Sequence, residues 1–95
     1  AIPAVDTVKK ADNKLIKNTI DRESLWMAQT PQTFKKEKLL HAIKNFSHLN
    51  ITDESMLMEE ANFKIKLIEG DQYNFKITNE IDWELAKFIV EKNKL

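Results

Sequence analysis

Apolar positions along this chain recur with two different periods, and the changes of period divide it into elements. Residues 1–5 are small and largely apolar and predict a strand. Residues 6–22 read as a hairpin-like arm. Thr7, Val8, Leu15, Ile16, Thr19 and Ile20 favour extended backbone, and Ala11-Asp12-Asn13-Lys14 supplies the turn. Two-stranded ribbons are marginal in water, so an arm with this little apolar bulk is expected to pack on something else. Leu25-Trp26-Met27-Ala28-Gln29 predicts a short buried strand. Pro31 ends it, because proline cannot donate to a central ladder.

Helical spacing follows. Over residues 35–46, Leu39, Leu40, Ile43 and Phe46 form one apolar face. Asn50-Ile51-Thr52-Asp53 is a capping cluster for a second helix over 54–61, and Asn62 is placed to close it in a left-handed conformation. Phe63, Ile65 and Leu67 alternate with Lys64 and Lys66, the pattern of a half-buried strand ending at Gly70-Asp71. Residues 74–77 predict a shorter strand. Thr78 or Asn79 caps a last helix over 80–93, with Ile81, Leu85, Phe88 and Ile89 facing inward. This order fits the end of an α/β sandwich better than a complete fold.

Composition narrows the function classes. Of 95 residues, 42% are hydrophobic and 32% charged, with Lys+Arg and Asp+Glu both at 15. A balanced charge creates no general field toward nucleic acid or an anionic membrane. No apolar run approaches the ~20 residues needed to span a bilayer. The absence of Cys excludes disulfides and thiolate metal sites and fits a reducing compartment. The opening six residues hold neither a basic stretch nor a long apolar run, so a signal peptide is not expected, and there is no initiator Met. Gly70 is the single glycine. Loops that cradle phosphates need several, so no nucleotide loop is expected in these 95 residues.

Candidate chemistry is sparse. His41 and His48 have no carboxylate pair at metal-site spacing and read as surface histidines; Glu59 and Glu60 read as a solvated helix face. Ser24, Ser47 and Ser55 lack a nucleophile-elbow motif. What remains is a set of threonines and fixed cations at loop positions: Thr7, Arg22, Thr30, Thr52 and Lys76. Hydroxyls and cations donate to anionic oxygens and exchange bonds with sugar hydroxyls, which suits a phosphorylated polyol. Each threonine also has a structural reading, as a helix cap for Thr52 or a strand former for Thr7. Arg22 is the sole Arg beside 14 Lys. Lys cannot copy its planar fork, so a bidentate partner is expected.

Six blocks occur in order: Asp6-Thr7-Val8-Lys9, Asp21-Arg22-Glu23-Ser24-Leu25-Trp26, Gln29-Thr30-Pro31-Gln32-Thr33-Phe34, Thr52-Asp53-Glu54, Glu69-Gly70-Asp71 and Asn74-Phe75-Lys76-Ile77-Thr78, followed by Asp82 in the last helix. The series resembles the methylerythritol-phosphate cytidylyltransferase family over essentially the whole chain. Ribitol-phosphate cytidylyltransferases share the third and the last of these blocks, and the run at 21–26 favours the methylerythritol enzymes. Asn62 stands where the family usually has glycine, Phe75 where Ile is common, and the proline often found before Asp82 is absent.

The resemblance implies an α/β fold: the carboxy-terminal part of a Rossmann-like nucleotidyltransferase three-layer sandwich with a protruding β-hairpin arm. It implies transfer of a cytidylyl group from CTP to 2-C-methyl-D-erythritol 4-phosphate, with release of pyrophosphate and use of Mg²⁺ bound with CTP. It also implies a homodimer interlocked through the arm at 6–22, in the bacterial cytoplasm or the plastid stroma. Thr7 and Arg22 would reach from the arm into the partner's site, while Thr30, Thr52 and Lys76 would bind the methylerythritol phosphate from their own subunit. The glycine-rich CTP loop belongs to the family's amino-terminal half, so residues 1–95 alone are expected to be inactive. The alternatives are a ribitol-phosphate enzyme and an inert, merely dimerising segment.

Overall fold

The structure, a computed structural model, describes residues 1–46 and 50–93. In chain order it contains β1 (Ile2–Pro3), β2 (Val8–Asp12), β3 (Leu15–Ile20), β4 (Trp26–Met27), α1 (Lys36–Phe46), α2 (Glu54–Glu60) and α3 (Glu80–Asn93). The strands form two separate antiparallel pairs, β1 with β4 and β2 with β3.

The arm forms as a hairpin. Asp12 pairs with Leu15 across a two-residue turn in which Asn13 and Lys14 both take positive φ, 49° and 64°. Positive φ at both central positions is the turn geometry whose twist matches that of the flanking strands. The turn is therefore tighter than the four-residue 11–14 expected, with Ala11 and Asp12 inside β2. The register slips between Lys10 and Ala11, where Lys10 pairs with Asn18 but Ala11 with Ile16. Lys17 is the extra residue of a β-bulge, a device that bends and twists an edge. Lys9 Nζ donates to Thr19 Oγ1 across the ribbon at 2.7 Å. Leu15 and Ile16 are 74% and 65% exposed, left uncovered by the described residues.

Packing is concentrated between α1 and α2. Ala42, Leu57 and Met58 are buried, and Phe34, Leu39, Phe46, Ile51, Ala61 and Phe63 pack around them. The contact face of α1 thus runs through Leu39, Ala42 and Phe46, at i, i+3 and i+7. Leu40 and Ile43, expected on it, occupy the neighbouring stripe and are exposed. The small Ala42 is what allows the two helices to approach.

The ends of α2 are built from local signals. Asp53 is the N-cap, with extended backbone and Oδ1 accepting the Met56 N–H at 2.9 Å. Asn62 takes φ 62° just beyond the C-cap Ala61. The Phe63 N–H reaches the Met58 carbonyl and the Asn62 N–H the Glu59 carbonyl, the paired bonds of a Schellman cap. Asn tolerates the left-handed region because its short amide bonds locally.

Three strand expectations are corrected. Residues 63–70 form no ladder among the described residues; the only backbone bonds along their far end bracket Glu69, the Ala1 amino group donating to the Ile68 carbonyl and Gly70 N–H to the Ala1 carbonyl. Residues 74–77 are likewise unpaired into a strand. The strand expected over 25–29 shrinks to Trp26–Met27 and is exposed, because among the described residues β1 covers one edge and no other helix or strand packs on its faces. The described residues hold two short antiparallel strand pairs, the packed pair α1 and α2, and α3.

The last helix has the expected span. Asn79 caps it, Oδ1 accepting the Asp82 N–H at 2.9 Å, while Asp82 Oδ2 accepts from both the N–H and the hydroxyl of Thr78 at 3.0 and 2.9 Å. Of the four residues expected to face inward, Ile89 is half-buried, whereas Ile81, 79% exposed, Leu85 and Phe88 are open; among the described residues α3 packs on no other helix or strand. The radius of gyration, 16.9 Å, records the same openness; a compact domain of this length has about 12 Å. Among the described residues, no helix is long and apolar enough to cross a membrane.

Candidate functional site

The block 29–34 is the hub of the molecule's long-range polar contacts. Gln29 Nε2 donates to the Asp71 carbonyl at 2.9 Å and to the Asn74 carbonyl at 3.2 Å. Asn74 answers from the other side, its Nδ2 donating to the Thr30 carbonyl at 2.7 Å. Three residues on, Gln32 turns to a different partner. Its Nε2 donates to Asp53 Oδ2 at 2.9 Å and its Oε1 accepts the Ser55 N–H at 3.1 Å. Gln32 thereby satisfies one of the orphan N–H groups of the first turn of α2, and Asp53 satisfies the next.

These bonds tie together three of the five candidate residues. Thr30 follows Gln29 directly, Thr52 precedes Asp53, and Lys76 lies two residues beyond Asn74. All three are exposed. Among the described residues, the Thr30 hydroxyl and the Lys76 ammonium make no hydrogen bond or ion pair, and the Thr52 hydroxyl makes only a 3.5 Å contact to Met56 Sδ. The structure thus presents two hydroxyls and one cation on segments whose backbones are fixed by amide side chains.

Thr7 and Arg22 are not part of that network. Both are exposed at the root of the arm, where Arg22 Nη1 donates to the Val5 carbonyl. That bond joins the two ends of the arm through one N–H, and among the described residues it is not the bidentate pair expected of the lone guanidinium. His41 is exposed and stands edge-on to Phe63 with 6.0 Å between ring centroids, as a surface histidine would. Ser47 and His48 lie outside the described residues.

Charge near the site is set by two aspartates. Hydrogen bonds from the Gln32 amide, then the Met56 N–H and the Ser55 hydroxyl, hold the Asp53 carboxyl below its ordinary value, with partial desolvation opposing them. The Thr78 N–H and hydroxyl, then the Asn79 backbone, do the same for Asp82. Asp53 therefore stays anionic beside Thr52 at neutral pH.

A cleft of about 560 Å³ runs between the 29–34 block and residues 63–68, lined by Trp26, Gln32, Phe34, Phe63 and Ile65 among others. None of the five candidate residues lines it. Its walls are mainly apolar side chains, whereas hydroxyls and cations define the candidate site. The positioning roles of Gln29, Gln32 and Asn74 were missed in the sequence, although all three fall inside the motif blocks. Two amides bracketing a Thr-Pro pair were the available signal.

The chain shares its α/β fold with a crystal structure of 4-diphosphocytidyl-2C-methyl-D-erythritol synthase, at a TM-score of 0.78 and 36% identity over 94% of this chain and 40% of that one. A family model described as 2-C-methyl-D-erythritol 4-phosphate cytidylyltransferase matches residues 1–92, and the chain belongs to this family. It is 42% identical over 96 residues to the 2-C-methyl-D-erythritol 4-phosphate cytidylyltransferase of Vesicomyosocius okutanii, covering 99% of this chain and 40% of the relative. It is 45% identical over 95 residues to that of Mannheimia succiniciproducens, covering 97% and 42%. The chain spans about two-fifths of the length of these curated relatives.

Proposed function

We propose that these residues are the carboxy-terminal, polyol-phosphate-binding part of an enzyme that transfers a cytidylyl group from CTP to 2-C-methyl-D-erythritol 4-phosphate. The observation that carries this reading is the polar network centred on Gln29 and Gln32, which draws the loops of Thr30, Thr52 and Lys76 to one block. Unpaired hydroxyls and an ammonium on fixed backbones suit a phosphate-bearing polyol. In the reaction the substrate phosphate attacks the α-phosphate of CTP and pyrophosphate leaves. The work of these side chains is to hold the attacking phosphate in line and to offset its charge.

Two further parts of the reading concern what surrounds the chain. Thr7 and Arg22, at the root of an arm whose apolar residues are uncovered, reach the same substrate in a second subunit of a homodimer. The uncovered faces of β4 and α3 receive the remaining, CTP-binding part of the fold. Mg²⁺ enters with CTP. The described residues gather no group of three or more His, Cys, Asp or Glu that could hold the ion. The run at 21–26 supports methylerythritol over ribitol as the polyol.

Pyrophosphate release from CTP and Mg²⁺ tests the proposal, with the complete reading frame supplied in turn with methylerythritol phosphate and ribitol phosphate. Turnover with the first and little with the second is expected. A preference for ribitol phosphate would overturn the substrate, and no release with either would overturn the activity. Residues 1–95 alone are expected to release no pyrophosphate.

A further inference from the structure

We infer that Gln29, Gly70 and Asn74 form a clasp that positions Thr30 against Lys76 and so sets the affinity for the phosphorylated polyol; the inference rests on the function proposed above. Each of the two segments uses a side-chain amide to hold the other's backbone. Gln29 spends both N–H bonds of its amide, on the carbonyls of Asp71 and Asn74, and Asn74 returns one to the Thr30 carbonyl. The receiving turn is itself closed, by Asn74 N–H to the Asp71 carbonyl at 3.0 Å and Tyr73 N–H to Asp71 Oδ1 at 2.8 Å. The Asp71 carbonyl therefore accepts from both segments.

The orientation of the Gln29 amide is fixed by these acceptors, since a flipped amide would set an oxygen against two carbonyl oxygens. Its Oε1 is buried without a hydrogen-bond partner and faces Gly70. A Cβ at position 70 would lie 2.2 Å from that oxygen. The single glycine of the chain is therefore explained by close approach and not by backbone conformation, as its φ is not positive. A glycine kept for one amide, and an amide oxygen left unpaired so that its nitrogen can bond twice, both serve the same junction. That junction joins the residue before Thr30 to the residue two before Lys76. Neither Thr30 nor Lys76 has its side-chain polar group engaged among the described residues. The clasp thus fixes the gap between a free hydroxyl and a free ammonium without consuming either.

The test uses the intact cytidylyltransferase that carries these residues, with each substrate varied in turn. Asn74→Ala and Gly70→Ala are expected to raise KM for methylerythritol phosphate about five- to tenfold, the worth of one lost hydrogen bond. KM for CTP should stay within about twofold, a split that general loosening of the fold would not produce. Asn74→Asp, which keeps the size but loses the donor, should match Asn74→Ala. Lys76→Ala runs alongside as the test of the underlying function. If it alone raises KM for methylerythritol phosphate, the clasp is overturned while the site stands. If it too changes nothing, the site reading fails with it. Loss of folding in both Asn74 variants, or a parallel rise in both KM values, would also overturn the proposal, by making the clasp a stability element only.

Discussion

Gln32 bridges the N-cap aspartate and the first turn of α2, donating to Asp53 Oδ2 at 2.9 Å while accepting the Ser55 N–H at 3.1 Å. One side chain thus stabilises a helix 21 residues away and keeps its capping carboxylate charged. Gln32→Ala removes both bonds and leaves the Ser55 N–H without its partner. A loss of about 1–2 kcal/mol in stability is expected, on the scale of one or two neutral hydrogen bonds. Gln32→Glu should cost more, because a carboxylate would face the Asp53 carboxylate. Urea denaturation of each variant measures both.

The two depressed aspartates give stability a direction with pH. A carboxyl whose folded pKa lies below its unfolded value binds fewer protons in the native state. Its contribution is fully present above the ordinary value near 3.8 and disappears as pH falls through the lower folded value. Asp53→Asn should therefore be less stable than the parent at neutral pH, and the difference should shrink below about pH 4. Thermal melts of the pair across that range decide it. A difference that stays constant with pH would mean the charge on Asp53 contributes nothing.

The parts of the fold legible in the sequence are those whose signals are local. Asp53, Asn62 and Asn79 cap helices through bonds to residues within three or four positions, and the Asn13-Lys14 turn closes its own hairpin. The unread parts depend on distant partners. Alternation at Phe63, Ile65 and Leu67 promised a strand, but a strand needs a neighbour, and the described residues bring none alongside it. The face of α1 was misplaced because large apolar residues at Leu40 and Ile43 outweighed Ala42, whose smallness is what makes it the contact. At the candidate site, residue types could be chosen but not their scaffold. The amide bonds of Gln29 and Gln32 span 21 to 45 positions and leave no periodic trace.

The arm offers a test that is independent of catalysis. Val5, Leu15 and Ile16 are exposed, and among the described residues the ribbon packs on no other helix or strand. An isologous interface, in which each arm covers the other subunit, would bury them. Removing residues 6–20 from the intact enzyme is expected to yield monomer in sedimentation velocity. An unchanged dimer would refute the arm's role and leave the substrate site standing.

Arg22 is the sharpest case, because its structural role and its proposed substrate-binding role can be measured separately. Its guanidinium donates to the Val5 carbonyl and closes the root of the arm. That bond uses one of five N–H groups, and the others remain for a ligand. Guanidinium binds phosphate through two parallel charge-assisted bonds, whereas an ammonium acts as a point charge on a flexible stem. A hydrogen bond to a charged group is worth about 1.5–3 kcal/mol. Arg22→Ala in the intact enzyme should therefore lower kcat/KM for methylerythritol phosphate by about ten- to more than a hundredfold. Arg22→Lys should recover only part of the loss, and KM for CTP should hardly change. If Arg22 served only to hold the Val5 carbonyl, the Ala variant would lose about 1 kcal/mol of stability or less while keeping its efficiency, because the bond is exposed. Steady-state kinetics with each substrate varied, set beside a thermal melt, separates the two outcomes. Near-parental efficiency with a lowered melting temperature would make Arg22 an anchor of the arm and remove it from the substrate site.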